Sequence, residues 1–155
     1  MIDSNTISAA LKAKLVASGL VRDVAIHDVA DFDSALESLR AATSSLAVIV
    51  STGEEVTHQL VSGLNFPMSA EIAGMYSVFV SARATNRKPE DAAATGLAVK
   101  DQILALLMWD DLGVAGLLVL PQSVDPVRIE IEGAPASGRT AWKLDILCRQ
   151  QLSPE

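Results

Sequence analysis

The fold is decided by the stretch from Glu71 to Trp109, which reads EIAGMYSVFVSARATNRKPEDAAATGLAVKDQILALLMW. Its first part, Ile72–Arg83, concentrates β-branched and aromatic residues and predicts a strand, because such side chains fit a pleated surface. Tyr76 belongs to an apolar set on one face of that strand, and Phe79 makes the other face apolar too. A strand that is apolar on both faces is covered on both sides, so we expect a central position in the sheet.

The second part of this stretch predicts a helix from Pro89 to about Trp109. Proline favours the first helical turn, and Glu90 and Asp91 follow it at the positive end of the helix dipole. The apolar residues between Leu97 and Met108 spread far around the helix, more than one sheet contact requires. We therefore expect either another helix or another subunit to cover them.

Composition and charge restrict the classes of function. The chain has 155 residues, of which 50% are hydrophobic and only 4% aromatic, and we expect a single domain over residues 1–155. A net charge of −7 argues against a general nucleic-acid binder. No apolar run is long enough for a membrane span, and the N-terminus lacks the features of a secretory signal. The one cysteine excludes an intramolecular disulfide and fits a reducing cytoplasm.

The part before Glu71 predicts short helices and strands. Capping residues, helical spacing of apolar residues and a buried apolar run indicate these elements. They are a first helix with Ile7, Leu11 and Leu15 inward and Gly19 at its end, an extended piece Val21–Val29, a helix Ser34–Ala42 and a buried strand Leu46–Val50.

Between Glu54 and Ser69 no helical or strand period is maintained. Apolar residues stand irregularly among Gly63, Asn65 and Pro67, which predicts a long loop. A loop of this length in a compact domain is typical of a binding surface. The alternative, a loop folded back onto its own core, stays open. The candidate interaction residues here are Glu54, Glu55, Leu60, Leu64, Phe66 and Met68.

The C-terminal part predicts an antiparallel hairpin. Val127–Ile131 and Ala141–Cys148 alternate between apolar and polar residues around a turn at Gly133–Arg139. Leu117–Leu120 is either a short strand that Pro121 ends or core packing. The expected class is α+β: a single mixed or mostly antiparallel sheet packed against a long central helix and the N-terminal helix.

Motifs for chemistry are scarce. We find neither a phosphate-binding glycine loop nor a nucleophile elbow, and the inward register of Cys148 indicates a core residue. Glu54, Glu55 and His58 would come together around a divalent ion if their segment were helical. A solvated polar loop is the simpler interpretation. We therefore expect no catalytic residue, no metal ligand and no cofactor site.

Three segments carry a resemblance to a known family. They are LAVIVSTGEEV at 46–56, the strand Met75–Ala84 that ends in a polar Thr-Asn-Arg segment before the helix, and the Trp-containing strand GRTAWKLDI at 138–146. In their order and spacing they resemble the small tail-terminator, or tail-completion, proteins of tailed phages, including the Mu-like and lambda-like minor tail proteins. The resemblance spans nearly the whole chain.

This resemblance implies a non-catalytic role in virion assembly. Family members form a ring, typically a hexamer, on the head-proximal end of the tail tube, where the ring ends tube growth and prepares head–tail joining. The implied partners are further copies of the chain, the tail-tube protein and a head-completion or connector protein, without nucleic-acid sequence recognition and without a membrane. The implied location is the virion tail, after assembly in the host cytoplasm.

Two alternatives stay open. The first is a small α/β domain that binds a metal or another ligand through Glu54, Glu55 and His58. One form of this alternative adds hydrolytic activity. The second is a neighbouring connector protein of the same particle, which the sequence does not separate from a terminator.

Overall fold

The computed structural model of the chain describes residues 4–42, 45–60, 67–81, 89–131 and 134–152. It is an α+β fold with a five-stranded mixed sheet and three helices. In chain order the elements are α1 (Ser4–Ser18), β1 (Asp23–His27), α2 (Phe32–Ala41), β2 (Leu46–Leu60), β3 (Pro67–Ser81), α3 (Pro89–Leu107), β4 (Leu117–Ile131) and β5 (Ala134–Leu152).

β3 lies at the centre of the sheet, as predicted. The strand order is β1-β2-β3-β5-β4, with β1 parallel to β2 and the remaining neighbours antiparallel. Val78 of β3 stands opposite Ile49 of β2 and Leu144 of β5, and all three side chains are buried. Tyr76 and Phe79 are buried in separate clusters on opposite faces, so the prediction that both faces of this strand are covered is confirmed.

Two helices cover one face of the sheet. α1 packs on β1 and β2, and α3 packs on β4 and β5. The predicted inward residues of α1, Ile7, Leu11 and Leu15, are buried there, and Ile103 and Leu107 of α3 join the same cluster. Two helices on the sheet were expected, but among the described elements neither is a long central helix; the strand β3 occupies the centre of the sheet.

In the described part of α3, from Thr95 to Leu107, most large apolar side chains are buried within the same chain. Ile103 and Leu107 are fully buried, and Val99, Leu104 and Leu106 are partly buried against the cluster. A five-stranded sheet is wide enough to receive such a broad apolar face. Among the large apolar side chains described from Thr95 to Met108, Leu97 and, just beyond the helix, Met108 are exposed.

α2 covers part of the opposite face. Its Leu39 is buried beside Val50 and Phe79, and the ring of Phe32 meets the ring of Phe79 edge-on at 5.7 Å. The side chain of Asp31 caps the helix by accepting the backbone N–H of Ser34 at 3.0 Å. Hydrogen bonds from the side chain and backbone of Ser34 hold the pKa of Asp31 below its usual value.

The predicted loop from Glu54 to Ser69 is largely strand. β2 continues through Gly53 to Leu60, and β3 begins at Pro67; the intervening residues 61–66 lie outside the described part of the chain. The register between β2 and β3 shifts between Ser51 and Gly53, which is a β-bulge. Gly53 has a φ of +145°, which side chains rarely adopt. The Ser-Thr-Gly sequence therefore marks a bulge rather than the end of the strand.

The C-terminal hairpin is longer than predicted. β4 runs without a break from Leu117 to Ile131, and β5 begins at Ala134, within the segment expected to be a turn. Pro121 and Pro126 lie inside β4. Both are tolerated because β4 is an edge strand, where a residue without an N–H can face outward.

Candidate functional site

The predicted interaction residues fall on an arm of the sheet. We define the arm as residues 53–60 of β2 and 67–74 of β3, beyond the bulge. Glu54 and Glu55 lie on it and are exposed. Leu60 and Met68 belong to its strands, but their side chains lie outside the described part of the structure, as do Leu64 and Phe66 entirely.

The arm is fixed to the rest of the sheet on its β5 side. Glu71 of β3 accepts hydrogen bonds from Nε and Nη2 of Arg149 at 2.8 Å each. The hydrogen bonds from Arg149 lower the pKa of Glu71, and those to Glu71 raise the pKa of Arg149. Two parallel hydrogen bonds between planar groups fix orientation as well as distance. They therefore help to hold the arm part of β3 in register with β5.

The metal-binding alternative depended on a helix, and the structure has an extended chain there instead. Glu54 and His58 both belong to β2, where four residues span roughly 13 Å. One ion has ligands within 2–3 Å of its centre, so two positions so far apart do not share one. Among the described side chains, which do not include that of His58, no group of three or more His, Cys, Asp and Glu residues could hold a metal.

A second surface, which the sequence did not reveal, follows α3. Trp109 is 69% exposed, and Met108 beside it is 46% exposed. Trp109 has a φ of +62°, and Leu112 has a φ of +52°. We call residues 108–113 the tryptophan corner. The signal was present in the sequence Trp-Asp-Asp-Leu-Gly, because turn-forming residues directly after a tryptophan place it outside the helix.

The tryptophan corner is held by main-chain hydrogen bonds. Trp109 N–H donates to the carbonyl oxygen of Val119 at 2.9 Å, and Val119 N–H donates to the carbonyl oxygen of Asp110 at 3.0 Å. The carboxylate of Asp110 accepts Leu112 N–H at 3.0 Å and lies 3.4 Å from Nζ of Lys14. The exposed indole is therefore attached to a fixed backbone, a property of interface anchors.

The exposed side of α3 leads to this corner. Leu97, Asp101, Ala105 and Met108 are exposed and fall on one side of the helix at its 3.6-residue period. On the inward side, Nζ of Lys100 lies 5.1 Å from the ring centroid of Trp142 and 2.6 Å from Asp101. The exposed side is mixed rather than continuously apolar, and the corner is its most hydrophobic part.

A polar cluster joins three strands on the α2 face. Asp145 of β5 accepts hydrogen bonds from Ser77 of β3 at 2.6 Å and from Ser123 of β4 at 3.1 Å. Nζ of Lys143 lies 3.7 Å from Asp145 and 5.1 Å from the ring centroid of Phe32. Both hydroxyl groups donate to the carboxylate, so the cluster serves as a cross-strand connection that satisfies the buried Ser77.

Cys148 is a core residue, as predicted. It is fully buried in the cluster beneath α1 and α3, and burial raises the pKa of its thiol to about 12. A thiol of that pKa holds almost no thiolate near neutrality and is a poor nucleophile.

No family model matches this chain, and no curated protein sequence matches it. Within the described residues, no helix has the length and hydrophobicity that a membrane crossing requires.

Proposed function

We propose that this chain is a non-catalytic assembly protein of a phage or prophage virion. In this proposal its copies form a ring, of six in the family it resembles, on the head-proximal end of the tail tube. The ring ends tube growth and prepares head–tail joining. The proposed partners are other copies, the tail-tube protein and a head-completion or connector protein, and the proposed location is the virion tail.

The observation that carries the proposal is the tryptophan corner. An indole that is 69% exposed, next to a half-exposed methionine, on a backbone fixed by bonds to Val119, is unusual for a side chain that only meets water. Tryptophan and methionine are enriched at protein interfaces. The corner therefore supports a protein-binding role.

The position of the exposed apolar residues supports a head-to-tail contact. Val56, on the arm, is 54% exposed, and the arm and the tryptophan corner are separate surfaces of the chain. A contact between two different surfaces of identical copies is heterologous, and it closes into a ring when the rotation between copies divides a full turn. A two-fold dimer would instead use one surface twice.

The resemblance in segment order supports the particular setting. The strand that carries LAVIVSTGEEV, the central strand before α3 and the Trp-containing last strand are three adjacent strands, β2, β3 and β5. A neighbouring connector of the same particle would share the assembly role but would bind the capsid side first.

Light scattering and negative-stain electron microscopy of the purified chain test the ring. We expect closed rings for the wild type, and a loss of rings for Trp109→Ala with an unchanged thermal unfolding midpoint, because the indole is mostly in water. Val29→Ala removes an equally exposed side chain, 64% exposed, elsewhere on the surface and serves as the matched control. A monomer at high concentration, or rings that form equally well in Trp109→Ala, would contradict the proposal.

Tube binding is tested separately. Purified tail-tube protein should polymerise to shorter, capped tubes when the ring is present, and binding of the ring to capsids without tubes would favour the connector alternative.

A further inference from the structure

β1 forms one edge of the sheet, and two of its residues turn their backbone groups outward. Asp23 N–H donates to the carbonyl oxygen of Ser45, so the backbone of Asp23 faces β2. The N–H and C=O groups of successive strand residues point to opposite sides, so those of Val24 and Ile26 face away from β2. Among the described residues, no main-chain hydrogen bond uses these outward groups. We call Val24 and Ile26 the β1 edge.

The described chain on either side of β1 turns towards β2 and away from the β1 edge. Arg22 N–H donates to Oγ of Ser45, and Ala30 N–H donates to the carbonyl oxygen of Ser51. The pairing of β1 with β2 has no bulge, and β1 contains neither proline nor lysine, the residues that commonly protect an edge. Ile26 is 44% exposed there. The β1 edge is therefore regular and partly apolar.

The opposite edge of the sheet, on β4, has the protection that β1 lacks. Val119 uses its outward N–H and C=O on Asp110 and Trp109. By the same alternation, followed through the bulge in β4, Pro121 and Pro126 also face outward, and neither has an N–H. Of these two edges, β1 therefore offers the outward groups that an added strand needs.

The sequence VRDVAIHDV, which contains β1, is complementary to itself when one copy is read backwards. In an antiparallel pair of two copies centred on Ala25, Val24 lies opposite Ile26 of the second copy. In the same register Arg22 lies opposite Asp28 of the second copy. Each pair occurs twice, because the contact is two-fold. Apolar residues meet apolar residues and the cation meets the carboxylate, which are the favourable cross-strand combinations.

The neighbouring registers lose this match. With Val24 opposite Val24 of the second copy, Arg22 lies opposite Ile26. With Ile26 opposite itself, Asp28 lies opposite Val24. Both registers place a charged group against an apolar one. In the register centred on Ala25, by contrast, Val24 and Ile26 of the second copy form a hydrogen-bonded pair that exchanges two N–H···O bonds, and so does the symmetric pair.

The two charged side chains are placed for this contact. Arg22 and Asp28 lie one residue before and one residue after β1, and both are exposed. Oδ1 of Asp28 accepts the N–H of Val29 at 2.8 Å, which holds the carboxylate beside the strand and leaves Oδ2 for a cation. Within the described part of the chain, the guanidinium of Arg22 forms no ion pair of its own. An ion pair between copies therefore replaces none within the chain.

We propose that two copies of this chain pair antiparallel through their β1 edges, with Ala25 at the two-fold axis, and join their two five-stranded sheets into one. The hydrogen bonds at Val24 and Ile26 hold the strands together, and the pairs of Arg22 with Asp28 fix the register. This inference goes beyond the proposed function and does not depend on it, because it uses neither the arm nor the tryptophan corner.

A disulfide tests the register. In the proposed pair the Cα atoms of the two Ala25 residues are about 4.5 Å apart, within the range that a disulfide bridges. Ile26→Cys is the matched control, because on the same edge its two Cα atoms would be roughly 8 Å apart, which is too far. Under mild oxidation we expect Ala25→Cys to form cross-linked dimers on the order of tenfold faster than Ile26→Cys. Cys148 is buried and does not contribute. Circular dichroism establishes that both variants are folded.

An exchange of charges tests what selects the second copy. Sedimentation equilibrium is measured on Trp109→Ala, in which we expect rings to be lost, so that only the β1 contact remains. Arg22→Glu and Asp28→Arg each place like charges opposite one another, and we expect each to weaken dimerisation on the order of tenfold. The double variant restores opposite charges and should restore the dimer. Asp125→Arg, the same charge change at the exposed β4 edge, should leave dimerisation unchanged.

The outcomes separate this inference from the ring. Chains that form no rings but cross-link through Ala25→Cys contradict the proposed function and support the two-fold contact. Rings without faster cross-linking of Ala25→Cys contradict the two-fold contact alone. A Trp109→Ala chain that stays monomeric at every concentration, or a double charge variant as weak as either single variant, would also overturn the inference.

Discussion

The ring of Tyr76 lies across Gly74, two residues earlier on the same face of β3. A β-carbon at Gly74 would lie 2.9 Å from Cε2 of Tyr76. The tyrosine is fully buried beneath α1 and α3, so its ring has no free space into which to move. The glycine at the base of the arm is therefore required by packing.

We predict that Gly74→Ala lowers the free energy of unfolding by about 1–3 kcal/mol through overpacking. Gly96→Ala is the matched control, because its β-carbon would meet Trp142 at an ordinary 3.6 Å within α3. There we expect stabilisation of about 0.5–1 kcal/mol, since alanine favours a helix interior. Urea unfolding measures both; equal stability of Gly74→Ala and wild type would contradict the packing argument.

The pair of Glu71 and Arg149 predicts a pH-dependent contribution to stability. The folded-state pKa of Glu71 is lowered, so the contribution is fully present above the ordinary value of 4.5 and is lost as pH falls through the folded pKa. Thermal unfolding should show wild type more stable than Glu71→Gln near neutrality, with the difference shrinking below pH 4.5. Asp125→Asn, at the β4 edge, is the control. A difference that grows on acidification would reverse the sign and refute the assignment.

Cys148 should be unreactive while the chain is folded. Burial raises the pKa of its thiol to about 12, so at pH 8 almost no thiolate exists and reagents have no access. With a chromogenic thiol-reactive disulfide reagent, we expect no reaction of the folded chain in buffer. In denaturant we expect one thiol to react per chain. Rapid modification of the folded chain would show that the β5 core opens locally.

Leu39→Ala tests the cover that α2 gives to its face of the sheet. Leu39 is fully buried against Phe79 and its neighbours, so its truncation should cost about 2–5 kcal/mol. Val16→Ala, at a position 56% exposed on α1, should change stability by less than about 0.5 kcal/mol. A cost for Leu39→Ala as small as that for Val16→Ala would mean that α2 is not anchored.

Local signals predicted the helices and the central strand well. Pro89 lies at a helix start, Ile7, Leu11 and Leu15 follow the helical period, and Phe79 made β3 apolar on its second face. In each case the feature depends on neighbours within a few residues. The predicted burial of Cys148 was confirmed for the same reason, since alternation within β5 determined its face.

Long strands were missed where the sequence carries residues that usually end them. Ser51-Thr52-Gly53 forms a bulge, and Pro121 and Pro126 are tolerated by an edge, neither of which local sequence distinguishes from a turn. The edge position of β4 follows from the strand order, which depends on distant pairings. The tryptophan corner was missed because the predicted helix was continued to Trp109, although the turn-forming residues that follow indicate an earlier end, and α3 ends at Leu107.

The interrupted edge of the sheet at β4 limits how far strand pairing between copies of this chain could extend. Pro121, Pro126 and the occupied groups of Val119 interrupt the β4 border, so strands from another copy could not continue the sheet there. If two copies paired through the edges of their sheets at β1, the strand β4 would form both outer edges of the combined sheet. A fibril needs a receptive surface at each new end, and the described backbone of β4 from Val119 to Pro126 does not provide one, which opposes cross-β growth along that edge.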